Sequence, residues 1–122
     1  MKKINFLSIA ALVLSGCVTT QEPLYYWGTT PSTYHKWVLE PGDTTLAEHE
    51  KALQDTIDQS VQKGKRVPPG VYCELGYLQF KKGRKVEALS LYDAEIKTYP
   101  ESSVFVERLK AKLQETDPPA KP

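Results

Sequence analysis

The sequence predicts an all-α domain of about four to five helices. Three observations predict it. Apolar residues recur at three- and four-residue spacing through several stretches between positions 31 and 113. Prolines and glycines cut the chain between those stretches, and no segment alternates apolar with polar residues for long enough to make a strand.

The first residues precede that domain. Lys2 and Lys3 lead into an apolar run from Ile4 to Leu14, broken by Asn5 and Ser8, which is shorter than the roughly 20 residues that cross a bilayer. A positive start, a short apolar middle and small residues at the end are the layout of a secretory signal peptide, so residues 1–16 are expected to be removed. Leu14-Ser15-Gly16-Cys17 resembles the lipobox of bacterial lipoproteins. The resemblance implies lipid attachment at Cys17, with a diacylglycerol on its sulfur and an acyl chain such as palmitate on the new N-terminus. Several buried chains, at about 0.8 kcal/mol per CH₂, make a stable anchor where one chain does not. With Val18 in place of an aspartate, the same resemblance implies the outer membrane of a Gram-negative cell, the domain facing the periplasm. Residues 17–23 then form a lipidated tether, 24–115 the folded domain, and 116–122, without an apolar pattern, a disordered tail.

Within the domain, Thr30 before Pro31 reads as an N-cap with proline at the first helical position, giving a helix over about 31–39 that Pro41-Gly42 ends. Thr45-Leu46-Ala47-Glu48 is a capping-box pattern opening a helix over about 45–63. Leu46, Ala52 or Leu53, Ile57 and Val61 mark its apolar face, opposite Glu50, Lys51, Asp55, Asp58 and Gln62. After Gly64, the stretch KRVPPG breaks the chain. A helix over about 69–82 carries Val71, Tyr72, Leu75, Leu78 and Phe80; one over about 84–99 carries Val86, Leu89, Tyr92, Ile96 and Tyr99; Gly83 is the turn between them. Pro100 stops the second, and Ser102 or Ser103 caps a last helix through about Leu113, using Phe105, Val106, Leu109 and Leu113.

The stretch YCELGYLQFKKGRKVEALSLYDAEIKTYP resembles a tetratricopeptide repeat, a helix-turn-helix of about 34 residues. Tyr72 stands at its large position, Leu75-Gly76 at its Leu-Gly pair, Gly83 at the turn, Ala88 and Tyr92 in the second helix and Pro100 at the end. The residues justify themselves physically: Gly76 and Ala88 are small enough for two antiparallel helices to approach, while Tyr72, Leu75 and Tyr92 fill the volume beside the crossing. Gln79 and Lys85, where aromatics are usual, and Glu95, where a small residue is usual, depart from the pattern. One such repeat cannot bury its own faces, so the helices at 31–39 and 45–63 must supply a degenerate partner and that at 102–113 a cap. The resemblance implies a binding module that performs no chemistry itself.

Together LSGC, LYYWG, KRVPPG, ELGYL and YPES resemble a family of small proteobacterial lipoproteins carrying a domain of unknown function. Its members are typically encoded beside a lipoprotein similar to the curli-secretion pore CsgG. What this implies is a non-enzymatic assembly or protein–protein interaction role, with an envelope protein, a CsgG-like lipoprotein among the candidates, as partner. Exposed faces of the helices at 70–82 and 45–63 are the expected docking surfaces.

Other functions find little support. Removing Lys2 and Lys3 takes the formal charge from +1 to −1, so nothing points to nucleic acid. Neither of the two histidines, His35 and His49, has cysteines or clustered carboxylates at ligand spacing, so no metal is expected. No phosphate loop, nucleophile elbow or paired-acid motif suggests catalysis, a cofactor or a small-molecule substrate. With Cys17 acylated, Cys73 lacks a pairing partner and reads as a small buried hydrophobe. The cluster Tyr25, Tyr26, Trp27, Tyr34 and Trp37 reads first as core laid across the helices. Its alternative is a partner, cell-wall glycan or membrane-surface contact over 25–37. Lys81, Lys82, Arg84 and Lys85 around Gly83 read as a solvated loop, the alternative being contact with anionic lipid.

Overall fold

The computed structural model describes residues 21–115, all of whose regular structure is helical. The expected signal peptide, the expected lipid-attachment residue Cys17, the start of the expected tether and the segment 116–122 lie outside the described residues. The helices are α1 (Thr30–Leu39), α2 (Asp43–Gln62), α3 (Val71–Lys81), α4 (Lys85–Thr98) and, after a 3₁₀ turn at Pro100–Ser102, α5 (Ser103–Glu115). Each packs on the next in sequence, so α1–α2 and α3–α4 form two hairpins and α5 closes the far side. No described helix is long and apolar enough to cross a membrane.

Glycine ends α2 and α3 in the same way. Gly64 (φ 62°) donates to the Val61 carbonyl and Lys65 N–H to that of Ser60, at 3.1 and 2.9 Å. Gly83 (φ 80°) donates to Phe80 and Arg84 N–H to Gln79, at 2.8 and 2.9 Å. Both are Schellman closures, which satisfy last-turn carbonyls and place a left-handed residue where only glycine sits without strain.

The helix starts differ from the sequence reading, because hydroxyls expected as caps have stronger uses elsewhere. α1 begins at Thr30, not after it, and the Thr30 hydroxyl reaches α2 instead, donating to the Ala52 carbonyl at 3.1 Å and pairing with the Thr56 hydroxyl at 2.8 Å. α2 begins at Asp43, two residues ahead of the supposed capping box. Buried Thr45 turns its hydroxyl back to the carbonyls of Glu40 (2.7 Å) and Gly42 (3.0 Å), tying the α1–α2 turn. Ser102 likewise bonds back to the Tyr99 carbonyl at 2.7 Å rather than capping α5.

Two apolar clusters share α3. Leu53 and Ile57 of α2 meet Val71, Leu75 and Leu78 of α3, with Val67 closing one end. Phe80 of α3 meets Ala88 and Tyr92 of α4 and Val106 and Leu113 of α5. α3 is thus apolar nearly all round, as a helix flanked on two sides must be. Val61, Val86 and Phe105, assigned to apolar stripes from the sequence, are instead 66%, 82% and 60% exposed. A helical stripe is wider than the line of actual contact, and these three fall on its open margin.

Candidate functional site

α2 and α4 flank α3, and between them runs an open groove of about 520 Å³. Gln54 comes from α2, Leu75 and Gln79 from α3, and Val86, Glu87, Ser90 and Leu91 from α4, with Arg84 at one end. Docking was expected on exposed faces of the helices at 70–82 and 45–63, whereas most of this lining comes from α4 and the turn before it. Its floor is apolar through Leu75 and Leu91, and Val86 stands almost wholly in solvent.

One end of the groove is polar and tightly organised. Buried Gln79 donates from its amide to Glu50 Oε1 at 2.9 Å and accepts from Arg84 Nη1 at 3.1 Å. Glu50 also pairs with the Lys82 ammonium, and Arg84 lies 3.7 Å from Glu87. Burial pushes the Glu50 carboxyl upward, but the bonds from Lys82 and Gln79 and the nearby Arg84 charge outweigh it and hold the group below its ordinary value. Lys82 and Arg84 are therefore partners in a network and not merely solvated. Gln79, one of the three departures from the repeat pattern, is its centre. The groove offers apolar contact and fixed hydrogen-bond groups, and its lining contains no histidine or cysteine.

Of the packing residues named from the sequence, Tyr72, Leu75, Gly76, Ala88 and Tyr92 lie at contacts among α2, α3 and α4, and Gly83 and Pro100 lie in turns. Leu75 is buried, with Tyr72 half-buried, against α2. Gly76 faces Tyr92 and Ala88, Gly83 forms the α3–α4 turn, and Pro100 opens the 3₁₀ turn. Cys73 is half-buried beside the second cluster, and burial, reinforced by the Glu95 charge, pushes its thiol up to about 12. A second, mainly apolar pocket of about 420 Å³ lies between α3 and α5, over Tyr77, Phe80, Tyr92, Leu109 and Leu113.

The five aromatics do not form one cluster. Tyr34 and Trp37 enclose His49 of α2, with Trp37 stacked on the imidazole at 5.9 Å and Tyr34 edge-on at 5.6 Å. His49 is wholly buried, its Nδ1 2.9 Å from the Thr33 hydroxyl and its Nε2 2.9 Å from Glu74 Oε1, which ties three helices together. Tyr25, Tyr26 and Trp27 instead follow the C-terminal end of α2. The Trp27 carbonyl accepts from the Thr56 hydroxyl at 3.0 Å, and the Lys63 ammonium lies 5.3 Å over the Tyr26 ring. Tyr25 adjoins Tyr99, whose hydroxyl donates to the Val67 carbonyl at 2.6 Å and whose ring carries the Arg66 guanidinium at 4.5 Å. Thus LYYWG, KRVPPG and the Tyr99-Pro100 corner converge at one end of the domain.

Sequence reasoning gave no role to Glu95. It is 3% exposed, and its Oε1 accepts the Gly70 N–H at 2.8 Å, supplying α3 with the N-terminal acceptor that its own sequence lacks. Its Oε2 has no hydrogen-bond partner, while the Tyr72 and Cys73 amides act on the charge. Burial dominates and raises the carboxyl above its ordinary value, against the pull of those three amides. The available signal was its spacing, three residues after Tyr92 and four before Tyr99, on the buried face. His49 had the same signal, between Leu46 and Leu53.

The family model described as a domain of unknown function, DUF4810, matches residues 24–109. No curated protein and no solved structure matches the chain.

Proposed function

We propose that this chain, which belongs to the DUF4810 family of domains of unknown function, is a non-enzymatic, lipid-anchored envelope protein that docks a partner protein in the α2–α4 groove. The observation that carries the reading is the groove itself. Val86 exposes an aliphatic side chain that no folding contact uses, beside a Gln79–Glu50–Arg84 network already held in place. Interfaces draw their energy from apolar anchors bordered by fixed polar groups, and prior ordering of those groups lowers the entropy cost of docking. In this reading the α3–α4 hairpin is a tetratricopeptide-like unit, α1–α2 its degenerate neighbour and α5 a cap. Cys17 carries the anchor in the outer membrane, and the partner is an envelope protein, the CsgG-like lipoprotein implied by the resemblance being the first to test. Photo-crosslinking in the cell from position 86, with and without Arg84→Glu, tests it. Specific capture of that lipoprotein, lost in the variant, is expected; capture of cell-wall glycan alone would transfer the role to the aromatic stretch 25–37.

A further inference from the structure

The end of the domain where LYYWG meets KRVPPG carries a second surface, distinct from the groove. Leu24 is 74% and Trp27 41% exposed there, although the carbonyls and rings around them are engaged in packing. Beside them stand Lys63, Lys65 and Arg66. Lys65 reaches back to the Pro23 carbonyl at 2.9 Å and lies 3.8 Å from Glu22, so the first described residues are fastened to this same end. An exposed leucine and an exposed indole interleaved with lysines are what the interface of an anionic bilayer accommodates, the rings at headgroup depth and the ammonium groups on phosphate.

The position of Cys17 decides the occupant. Even fully extended, the intervening residues place its Cα within about 14 Å of that of Gln21. An anchored domain therefore keeps this end close to the lipid. The basic set Lys81, Lys82, Arg84 and Lys85 sits at the opposite end of α3, away from the end to which the tether leads.

We infer that the surface formed by Leu24, Trp27, Lys63, Lys65 and Arg66 seats on the anionic headgroups of the membrane that holds the anchor, so that the polar end of the groove is turned away from the bilayer. The inference rests on the lipid attachment proposed at Cys17. An α3 of 11 residues sets the polar end up to about 16 Å farther out than the seated end. The domain is then a mount with a fixed orientation, and not a body swinging on its tether.

The test uses the full-length lipoprotein purified from a Gram-negative host. Intact mass establishes whether Cys17 is acylated. Reconstitution into phosphatidylglycerol-containing vesicles with headgroup-proximal brominated lipid then reads the two tryptophans, Trp27 and Trp37. The expected result is at least a twofold loss of emission on bromination in the Trp37→Phe variant, where Trp27 emits alone, no loss in the Trp27→Phe variant, and a smaller loss when Lys63→Glu is added to Trp37→Phe. Acylated protein whose Trp27 is not quenched overturns the seating alone and leaves the anchor standing. Protein without acyl chains overturns the anchor and the seating together.

Discussion

Gly76→Ala is the substitution whose effect the packing fixes most closely. A Cβ at that position would lie 2.8 Å from Cε1 and 3.0 Å from Cδ1 of Tyr92, and 3.2 Å from the Ala88 carbonyl oxygen. Tyr92 is 1% exposed and packed in the second apolar cluster, so displacing its ring disturbs that packing, and the carbonyl is backbone within α4. The α3–α4 hairpin must open. Overpacking a filled core costs about 1–3 kcal/mol, whereas glycine to alanine in a helix interior gains about 1 kcal/mol from propensity. The balance is a loss of about 1 kcal/mol, and a larger one for Gly76→Leu. In urea, with a slope of about 1 kcal/mol per molar for a domain of this size, the midpoint should fall by about 1 M. Combining Gly76→Ala with Tyr92→Leu should recover part of that loss, with a coupling above about 0.5 kcal/mol. A midpoint that stays or rises in the single variant would refute the close approach, and strict additivity in the double variant would refute Tyr92 as its cause.

Other expectations concern single groups. Glu95 has a folded-state pKa above its unfolded one, so its contribution is fullest below about 4.5 and is lost as pH rises through the folded value. The stability of the wild type relative to Glu95→Gln should therefore improve on acidification from pH 7, as urea midpoints across pH would show; a difference flat with pH would contradict the burial of an ionisable carboxylate. Cys73, pushed up to about 12 and half-buried, should react with a disulfide reagent at pH 8 far more slowly than glutathione and at an ordinary rate once unfolded, and equal rates in the folded protein would place it in solvent. Tyr99→Phe removes the hydroxyl that bonds the Val67 carbonyl and should cost about 1–2 kcal/mol by thermal or urea unfolding, with an unchanged value showing that water replaces the bond.

The helices and their turns were legible because the signals are local. Leu53, Ile57, Leu75 and Leu78 recur at helical spacing, and Gly64 and Gly83 mark the stops. What escaped is set by partners distant in sequence. Thr30 looked like a cap because capping is the local use of a hydroxyl, yet Thr56 and Ala52 offered it acceptors on α2. Glu95 looked like an intrusion into a close-packed helix until α3 brought Gly70 N–H to it. Gln79 looked like a missing aromatic, and its amide in fact bridges Glu50 and Arg84 at the groove. Likewise LYYWG and KRVPPG were separate distinctive stretches in the sequence, and only the return of α2 sets Tyr26 under Lys63.

Docking of an envelope protein in the α2–α4 groove is tested by in-cell photo-crosslinking from position 86 with mass spectrometry of the adduct. A docking groove yields one dominant adduct with the CsgG-like lipoprotein, absent from the Arg84→Glu variant at equal abundance and equal urea midpoint. The same adducts from position 86 in both proteins, or adducts with lipid and cell wall alone, would contradict it.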